Sequence, residues 1–537
     1  ANCKMLTGSI DFKGQAFGEY MFAGCDGIES LTIQDSITEI PNGAFYNCNK
    51  LADVTFQGSF RKIGSYAFYS CSALKNIEFK STESIGDYAF YKCTTLSEII
   101  LPESLTSVGT HVFAECSTLR KVTLNNTVLG KYMFYKCVTL GGYDKSENKA
   151  LNPIIFAEDT TVIPGWCFAY CHELSEVKYP SSLQLIEDYA FYECNMYLKE
   201  VKLPDGCEVL GEHAFQQCTS LTTIYLSASM ETIKSYAFYG CINIQEIVVP
   251  QGVKIVSDYA FAECYELTTI KIPSSVTYIG RGALYGCVKL ESIFLPFVGA
   301  YKGGSRDDAS LFGYIFGGLN DTYIAADGSI NNMTYVQSNA SSFWQFEQRY
   351  YNVRSFDSNF APIAITEEDE GKELHSTLYY VPKTLKTVNI TNETVFGYGA
   401  FMNCDWLQNF YYHYIDYSDY NFAGNYSAIP DEQVTTITKI DDYAFFNMGG
   451  LLGSSFQRNG NKQTSAIALY DEVSTNNTYG FFGTEEYIGD YAFALIDNEN
   501  FINLVLPASL TYIGKYSFSN CANLESVSVK SNILGTY

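Results

Sequence analysis

The seventeen cysteines of this 537-residue chain are its first candidates for chemistry, because thiols can form disulfides, bind zinc or attack substrates. Fifteen of them recur at a fixed position of a repeat, mostly 22–24 residues apart, and only Cys167 and Cys207 lie outside it. Zinc sites need paired ligands such as Cys-x2-Cys, and no such pair is present. Cys167 and Cys171 lie four residues apart but lack a second pair. The spacing therefore favours a structural role.

The chain itself indicates what the recurring cysteine does. The equivalent position is occupied by Met448 and by Ile496 in two later repeats. Apolar residues thus replace the cysteine, as expected of a small buried hydrophobic side chain. We predict a ladder of buried free thiols; disulfides between neighbouring repeats and a metal site are the alternatives.

The five histidines offer little further chemistry. His111 and His213 stand where other repeats carry a tyrosine, so we expect them to pack within the repeat. A nucleophilic pair of Cys171 with the adjacent His172 is conceivable, but this cysteine belongs to the ladder. His375 and His413 have no recognisable partner. Motifs of zinc proteases, serine hydrolases and phosphate-binding loops are missing, and the acidic run 367–370 lacks calcium-loop spacing. We expect no catalysis and no cofactor.

A repeat of near 23 residues, present in about seventeen copies, positions all these side chains. Its first half is seen in Ile63-Gly-Ser-Tyr-Ala-Phe-Tyr-Ser-Cys71, Ile85-Gly-Asp-Tyr-Ala-Phe-Tyr-Lys-Cys93 and Ile233-Lys-Ser-Tyr-Ala-Phe-Tyr-Gly-Cys241. After the cysteine comes x-x-Leu-x-x-Ile-x-Leu, as at Leu96 to Leu101, often followed by proline. We refer below to the tyrosine, phenylalanine and cysteine positions, and to the outward position between the Ile and the second Leu.

The two halves of the repeat predict two kinds of local structure. The Ile and the second Leu lie two residues apart, so both should point inward from a short strand. The Phe-to-Cys spacing fits one or two turns of helix. Residues suited to capping that helix precede it: Asn42, Ser65, Asp87, Thr110, Asp188, Ser235, Asp258, Asp442 and Asp490. The predicted repeat core includes Phe68, Cys71, Phe90, Cys93, Phe238, Cys241, Phe261 and Cys264. Stacking would align the strands in a parallel sheet at about 4.8 Å per repeat.

This repeat resembles the BspA-like (Treponema-type) leucine-rich repeat. The resemblance covers 1–296 almost without a break and returns at 387–410, 437–448 and 486–530. It implies an α/β repeat solenoid: a right-handed leucine-rich-repeat superhelix with a parallel β-sheet on one face and short helices or turns on the other. Such proteins are typically secreted or displayed on the surface of bacteria and some protists, and several are adhesins. The resemblance thus implies that this chain binds proteins or glycans.

Interruptions of the period predict three regions. Residues 1–296 form a regular solenoid with an insertion at 141–159, 297–386 form an insertion or extended repeat module, and 387–537 continue the solenoid irregularly. The ends of the 297–386 module look like one repeat split open. We interpret the module as structural rather than as an active site.

The outward position suggests a binding surface on the sheet. Along the stack it holds Thr55, Glu78, Ile100, Thr123, Lys178, Lys202, Tyr225, Val248, Lys271, Phe294 and Tyr411. Tyr225, Val248 and Phe294 form an apolar run interrupted by Lys271, which would suit a ligand unless the large insertion covers it. A second candidate is the tyrosine-rich segment with Tyr411, Tyr414 and Tyr417, which could equally be a packed loop.

Charge and hydropathy limit the possible functions. A net charge of −25 argues against nucleic acid and anionic membranes, and no run of 18 apolar residues exists to span a bilayer. The first residues lack a signal peptide and look like a processing boundary. We expect a secreted or cell-surface monomer that recognises an extracellular protein or glycan. A structural spacer is the alternative, and an enzyme sited in the 297–386 module is less favoured.

Overall fold

A computed structural model describes most of the chain: residues 6–14, 16–304, 307–318, 322–324, 330–332, 344–351, 376–404, 406–407, 409–412, 437–448, 478–480, 485–496 and 501–530. The chain is a parallel β-solenoid, in which each repeat forms one coil stacked on the next. Contacts divide it into two compact units, 1–245 and 246–537.

Most coils contribute one strand from their Leu-x-x-Ile-x-Leu segment, called the longer strand below. The coil that follows Cys71 has only an isolated bridge, between Asp53 and Asn76. In the first unit these strands are Gly8–Phe12, Ile28–Ile33, Asp53–Phe56, Glu98–Leu101, Lys121–Leu124, Ile154–Ile155, Val177–Lys178, Glu200–Lys202 and Thr223–Tyr225. In the second unit they are Glu246–Val248, Thr269–Lys271, Ser292–Leu295, Thr387–Ile390, Asn409–Tyr412, Thr478–Gly480, Asn503–Leu506 and Ser526–Val529. The predicted orientation is confirmed: Ile99 and Leu101 are buried, whereas Ile100 between them is exposed.

A second, two-residue strand, which the repeat pattern does not predict, follows in most coils. These strands are Glu39–Ile40, Lys62–Ile63, Ser84–Ile85, Ser107–Val108, Val162–Ile163, Leu185–Ile186, Val209–Leu210 and Thr232–Ile233 in the first unit. In the second unit they are Ile255–Val256, Tyr278–Ile279, Val395–Phe396, Lys439–Ile440, Tyr487–Ile488 and Tyr512–Ile513. The glycine that follows has a physical reason: a Cβ at Gly86 would lie 2.4 Å from the backbone nitrogen of Ser65.

The Tyr-Ala-Phe-x-x-Cys segment forms a turn, so the prediction of a helix there is wrong. Tyr66 and Ser70 both have left-handed backbone, with φ of 59° and 55°, and a helix cannot contain them. Because left-handed and right-handed residues are mixed in this turn, every second backbone N–H points along the stack. Tyr66, Phe68 and Ser70 donate to the carbonyl oxygens of the next coil over 2.7–2.8 Å. No α-helix occurs among the residues that the structure describes.

The side chains predicted to cap helices accept hydrogen bonds from the next coil instead. Asn42 Oδ1 accepts from the backbone N–H of Ser65 (2.9 Å), and Asp87 Oδ1 accepts from that of Thr110 (2.7 Å). Each acceptor therefore binds the residue at its own position one coil later. The same bond joins Asp188 to Glu212, Asp258 to Arg281, Asp442 to Asp490 and Asp490 to Lys515.

Stacked phenylalanines form the centre of each coil. Phe68 lies with its ring centroid 5.2 Å from those of Phe45 and Phe90, nearly parallel to both. All eight predicted core residues, including Phe238, Cys241, Phe261 and Cys264, are fully buried. Such a column contributes both buried apolar area and ring contacts between neighbouring coils.

Two segments depart from the regular coil. In the first unit, Tyr143–Asp144 and Lys149–Ala150 pair as an antiparallel hairpin within the predicted 141–159 insertion. In the second unit, the strand Ser292–Leu295 pairs directly with Thr387–Ile390, across the 297–386 module.

The 297–386 module supplies further elements of its own. Two 3-10 helices, Asp308–Ser310 and Phe312–Phe316, lie at its start, and Gly282 and Leu284 donate to Tyr314 and Ile315 as they would to a regular turn. The other strands of this module are Thr322–Ile324, Ile330–Asn332, Trp344–Tyr351 and Ser376–Pro382. They form two antiparallel pairs, the first strand with the second and the third with the fourth.

Candidate recognition surface

Nearly all the thiols, the first candidates for chemistry, are buried in the described residues. Cys71 Sγ donates to the carbonyl oxygen of Phe45 in the preceding coil over 3.2 Å, and the same bond recurs along the ladder. Burial raises the pKa of Cys116 and of Cys218 to about 12, which keeps both thiols protonated at neutral pH. All sixteen cysteines in the described residues carry free thiols, and Cys521 alone among them is only partly buried.

The histidines are likewise structural. His111 stacks between Tyr88 and Tyr132, with ring centroids 4.5 and 4.3 Å away. His213 stacks in the same way between Tyr189 and Tyr236, at 4.3 and 4.7 Å. Burial lowers the pKa of both imidazoles.

Of the remaining three histidines, the structure describes only His172. His172 lies beside Cys171, but the thiol of Cys171 donates to the carbonyl oxygen of Phe134. His375, His413 and the acidic run 367–370 lie outside the described residues.

In the first unit, the outward positions of the longer strands form one face. Ile100 is paired with Thr123, and Lys202 with Tyr225, in parallel register. Ile100 and Tyr225 are 53% and 39% exposed, so large apolar side chains reach solvent from an otherwise polar sheet.

One exposed residue of this face escaped the sequence analysis. Ile155 pairs with Lys178 and is 51% exposed. Ile155 lies within the predicted insertion at 141–159, where the repeat period is interrupted, so the repeat did not assign it a register. The signal available in the sequence was the pair of apolar residues on either side of it, Ile154 and Phe156, which are both buried.

The hairpin at 143–150 lies beside this face. The ring of Tyr143 stacks on that of Tyr197, 4.5 Å away, and Lys199 Nζ donates to Tyr143 Oη and to Asn148 Oδ1 over 3.2 Å each. The hairpin follows the coil of Cys137, and Tyr197 follows Cys194, so it spans the coil of Cys171. The structure thereby gives the face a fixed border.

In the second unit, the predicted stripe becomes less exposed along the sheet. Val248, Lys271, Phe294, Asn389 and Tyr411 share one register position on consecutive strands. The Lys271 side chain is 12% exposed, with its ammonium 3.2 Å from Glu246 and 5.8 Å from the centroid of the Phe294 ring. Asn389 is fully buried. The burial of Asn389 agrees with the alternative given above, in which the stripe is covered rather than open to a ligand.

The tyrosine-rich segment is described only at its start. Tyr411 belongs to the strand Asn409–Tyr412. Tyr414 and Tyr417 lie outside the described residues, so their role stays a prediction.

The described ranges lack two further kinds of feature. They contain no group of three or more His, Cys, Asp or Glu side chains placed to hold a metal ion. Within the same ranges, no helix is long and apolar enough to cross a membrane.

Comparison with known sequences identifies the repeat. The BspA type leucine rich repeat region (6 copies) matches residues 15–141, 146–241, 194–299, 354–473 and 486–536. No curated protein matches the chain.

Three of the similar solved structures are of bacterial proteins. A leucine-rich repeat protein from Bacteroides ovatus is 26% identical over 54% of this chain and 87% of its own, with a TM-score of 0.40. A leucine rich cell surface protein from Faecalibacterium prausnitzii is 29% identical over 56% and 88%, with a TM-score of 0.37. The pneumococcal vaccine antigen PcpA is 20% identical over 54% and 73%, with a TM-score of 0.32.

Proposed function

Because this chain belongs to the family of BspA type leucine-rich-repeat proteins, we propose that it is a non-catalytic recognition protein, secreted or displayed at a cell surface. Its ligand would be an extracellular protein or glycan, which it would bind as a monomer to mediate adhesion. The outer face of the longer-strand sheet is the proposed contact surface.

The observation that carries this proposal is the contrast between positions of one coil. The phenylalanine, cysteine and inward Ile and Leu positions hold similar residues from coil to coil, because the core demands them. The outward position instead changes from threonine to isoleucine, lysine and tyrosine, as at Thr55, Ile100, Lys202 and Tyr225. A solenoid that served only as a spacer would need nothing but solubility there, yet Ile100 and Ile155 are each about half exposed.

A binding assay on immobilised extracellular-matrix proteins tests the proposal. The variant to compare is the triple change Ile100→Thr, Ile155→Thr and Tyr225→Thr, which introduces the residue that Thr55 and Thr123 already supply at this position. We expect its affinity to fall about tenfold or more, since exposed apolar and aromatic anchors dominate interfaces. Lys62→Ala, a change on the short-strand side, is the control.

Two results would count against the proposal. Unchanged binding by a folded triple variant would remove this face from the contact surface. A chain that binds no protein on the panel and no glycan would favour the spacer function.

A further inference from the structure

Tyr301 differs from the tyrosines that build the solenoid. Many of those in the turns stack between two rings, as Tyr88 does between Tyr66 and His111 at 5.2 and 4.5 Å, so both of their faces are covered. Tyr301 contacts only Tyr278 closely among the rings described around it, tilted by 42° at 5.1 Å, and is 52% exposed. An aromatic ring is thus presented to solvent where the regular repeat ends.

Arg281 marks the same break in the repeat. It stands where other coils carry Ser65 or Asp87, the acceptors that bond to the next coil. Its own N–H donates to Asp258 Oδ1 over 2.9 Å. The series of side-chain bonds between coils ends at Arg281, because a guanidinium has no acceptor to offer the next coil. The guanidinium turns instead toward Asp308, 3.8 Å from Oδ2, and lies 5.4 Å from the centroid of the Tyr379 ring.

Hydrogen bonds hold the Arg281 and Asp308 charges in place. Tyr379 is fully buried and donates from its hydroxyl to Asp308 Oδ2 over 2.6 Å. Tyr278 donates to Asp258 Oδ1 over 3.2 Å, which ties the ring beneath Tyr301 to the backbone of Arg281. The side chains of Arg281 and Asp308 nevertheless remain 34% and 30% exposed. Fixed but accessible charges lose little conformational freedom when a ligand binds.

The aromatic ring and the ion pair belong to one cluster. The N–H of Ala300 donates to the carbonyl oxygen of Ala309 over 2.8 Å, which brings the residues beside them, Tyr301 and Asp308, to the two ends of one loop. Tyr278 completes the cluster, because it touches Tyr301 on one side and bonds to Asp258 on the other.

We propose that Tyr301, Arg281 and Asp308 form a carbohydrate-binding subsite. A sugar presents a face of C–H groups and a rim of hydroxyls. The open ring of Tyr301 would pack on the C–H face, the carboxylate of Asp308 would accept from hydroxyls, and Arg281 would donate to ring or hydroxyl oxygens. The subsite rests on the recognition function proposed above and names glycans as a ligand class for it. Its residues belong to the second unit, whereas the outward residues Ile100, Ile155 and Tyr225 belong to the first.

A glycan array incubated with the labelled full chain is the first test, followed by titration of the strongest oligosaccharide by calorimetry. We expect Tyr301→Ala to weaken that oligosaccharide about tenfold or more. Tyr301→Phe should retain most of the affinity, because the ring remains. Tyr516→Ala is the matched control, since Tyr516 is 62% exposed in another part of the chain and should have no effect. Asp308→Asn should also weaken binding, and its melting temperature shows whether the cluster still folds.

Two outcomes would overturn the subsite: no glycan bound on the array, or binding that Tyr301→Ala leaves unchanged. Failure here is distinguishable from failure of the proposed function. Loss of matrix-protein binding in the Ile100, Ile155 and Tyr225 triple variant would stand whether or not any glycan binds.

Discussion

The thiol of Cys71 donates a hydrogen bond to the carbonyl oxygen of Phe45, 3.2 Å away in the preceding coil. The same carbonyl oxygen also accepts from the backbone N–H of Cys48 in its own coil. The recurring cysteine is therefore both a small buried hydrophobic side chain and a donor that links adjacent coils. This second property explains why most coils keep cysteine although Met448 and Ile496 show that an apolar residue can stand there.

Cys71→Ala should lower the free energy of unfolding by about 1–2 kcal/mol, because it removes the bond to Phe45 and leaves a small void. Urea unfolding followed by circular dichroism measures the loss. Cys207→Ala is the comparison, since Cys207 Sγ lies 3.9 Å from its nearest acceptor, Val209 O, and should lose mainly volume. Equal losses in the two variants would mean that the bond to the preceding coil contributes nothing.

Thiol titration should distinguish buried free cysteines from disulfides. In the native protein at pH 8 we expect few thiols to react with a disulfide reagent, because burial raises the pKa of Cys48, Cys116 and Cys287 to about 12. Cys521, half-buried at the last described coil, should react first. After denaturation all seventeen should react. A denatured count that stays well below seventeen would indicate disulfides.

The stacked histidines make stability depend on pH. Burial lowers the pKa of His111 and His213 below the usual 6.5, and the smaller effect of Asp87, Glu115 and Asp188 opposes this. The folded state thus prefers neutral imidazole. The contribution of the two neutral imidazoles to the free energy of unfolding is complete above pH 6.5. It is lost as the pH falls through 6.5 towards the pKa of the folded state.

The double variant His111→Tyr and His213→Tyr introduces the residue that Tyr88 and Tyr189 already supply at this position. Melting temperatures at pH 7.5 and pH 5.0 compare it with the natural chain. We expect the natural chain to lose more stability between these pH values than the variant does. The same loss in both would assign the pH dependence to other groups.

The bond from Asp87 to the next coil should be visible in hydrogen exchange. Asp87→Ala removes the acceptor for the N–H of Thr110, 2.7 Å away, and should speed exchange at Thr110 while costing about 1 kcal/mol. Asp87→Asn should be milder, because Asn42 makes the equivalent bond. If exchange instead increased at Ala89 and Phe90, Asp87 would act as a cap within its own turn.

Much of the fold is readable from the repeat, since residues two apart at Ile99 and Leu101 can only point to the same side of a strand. The turn was misjudged because the spacing of Phe90 and Cys93 fits a helix and a turn equally well. What decides between them is the left-handed backbone at Tyr88 and Lys92, which hydrogen bonds between coils favour. A local pattern does not contain those bonds. Glycine at equivalent positions, such as Gly240 and Gly282, was the one available hint.

The candidate site was harder to predict for a related reason. The outward register followed from the repeat, so Tyr225 and Lys271 were correctly aligned with their neighbours on adjacent strands. Exposure did not follow from the register, since Asn389 shares the outward position and is nevertheless fully buried. The cluster of Arg281, Asp308 and Tyr301 brings together residues that no sequence spacing relates.

The hairpin at 143–150 has a mechanical consequence. In a solenoid each coil holds only its neighbours, so a chain pulled from one end should peel off one coil after another at a steady force. The contacts of Tyr143 with Tyr197 and Lys199 clamp the coils of Cys137, Cys171 and Cys194 together. Peeling from the N-terminal side should therefore stall on reaching Cys137, and a larger load should then release three coils at once.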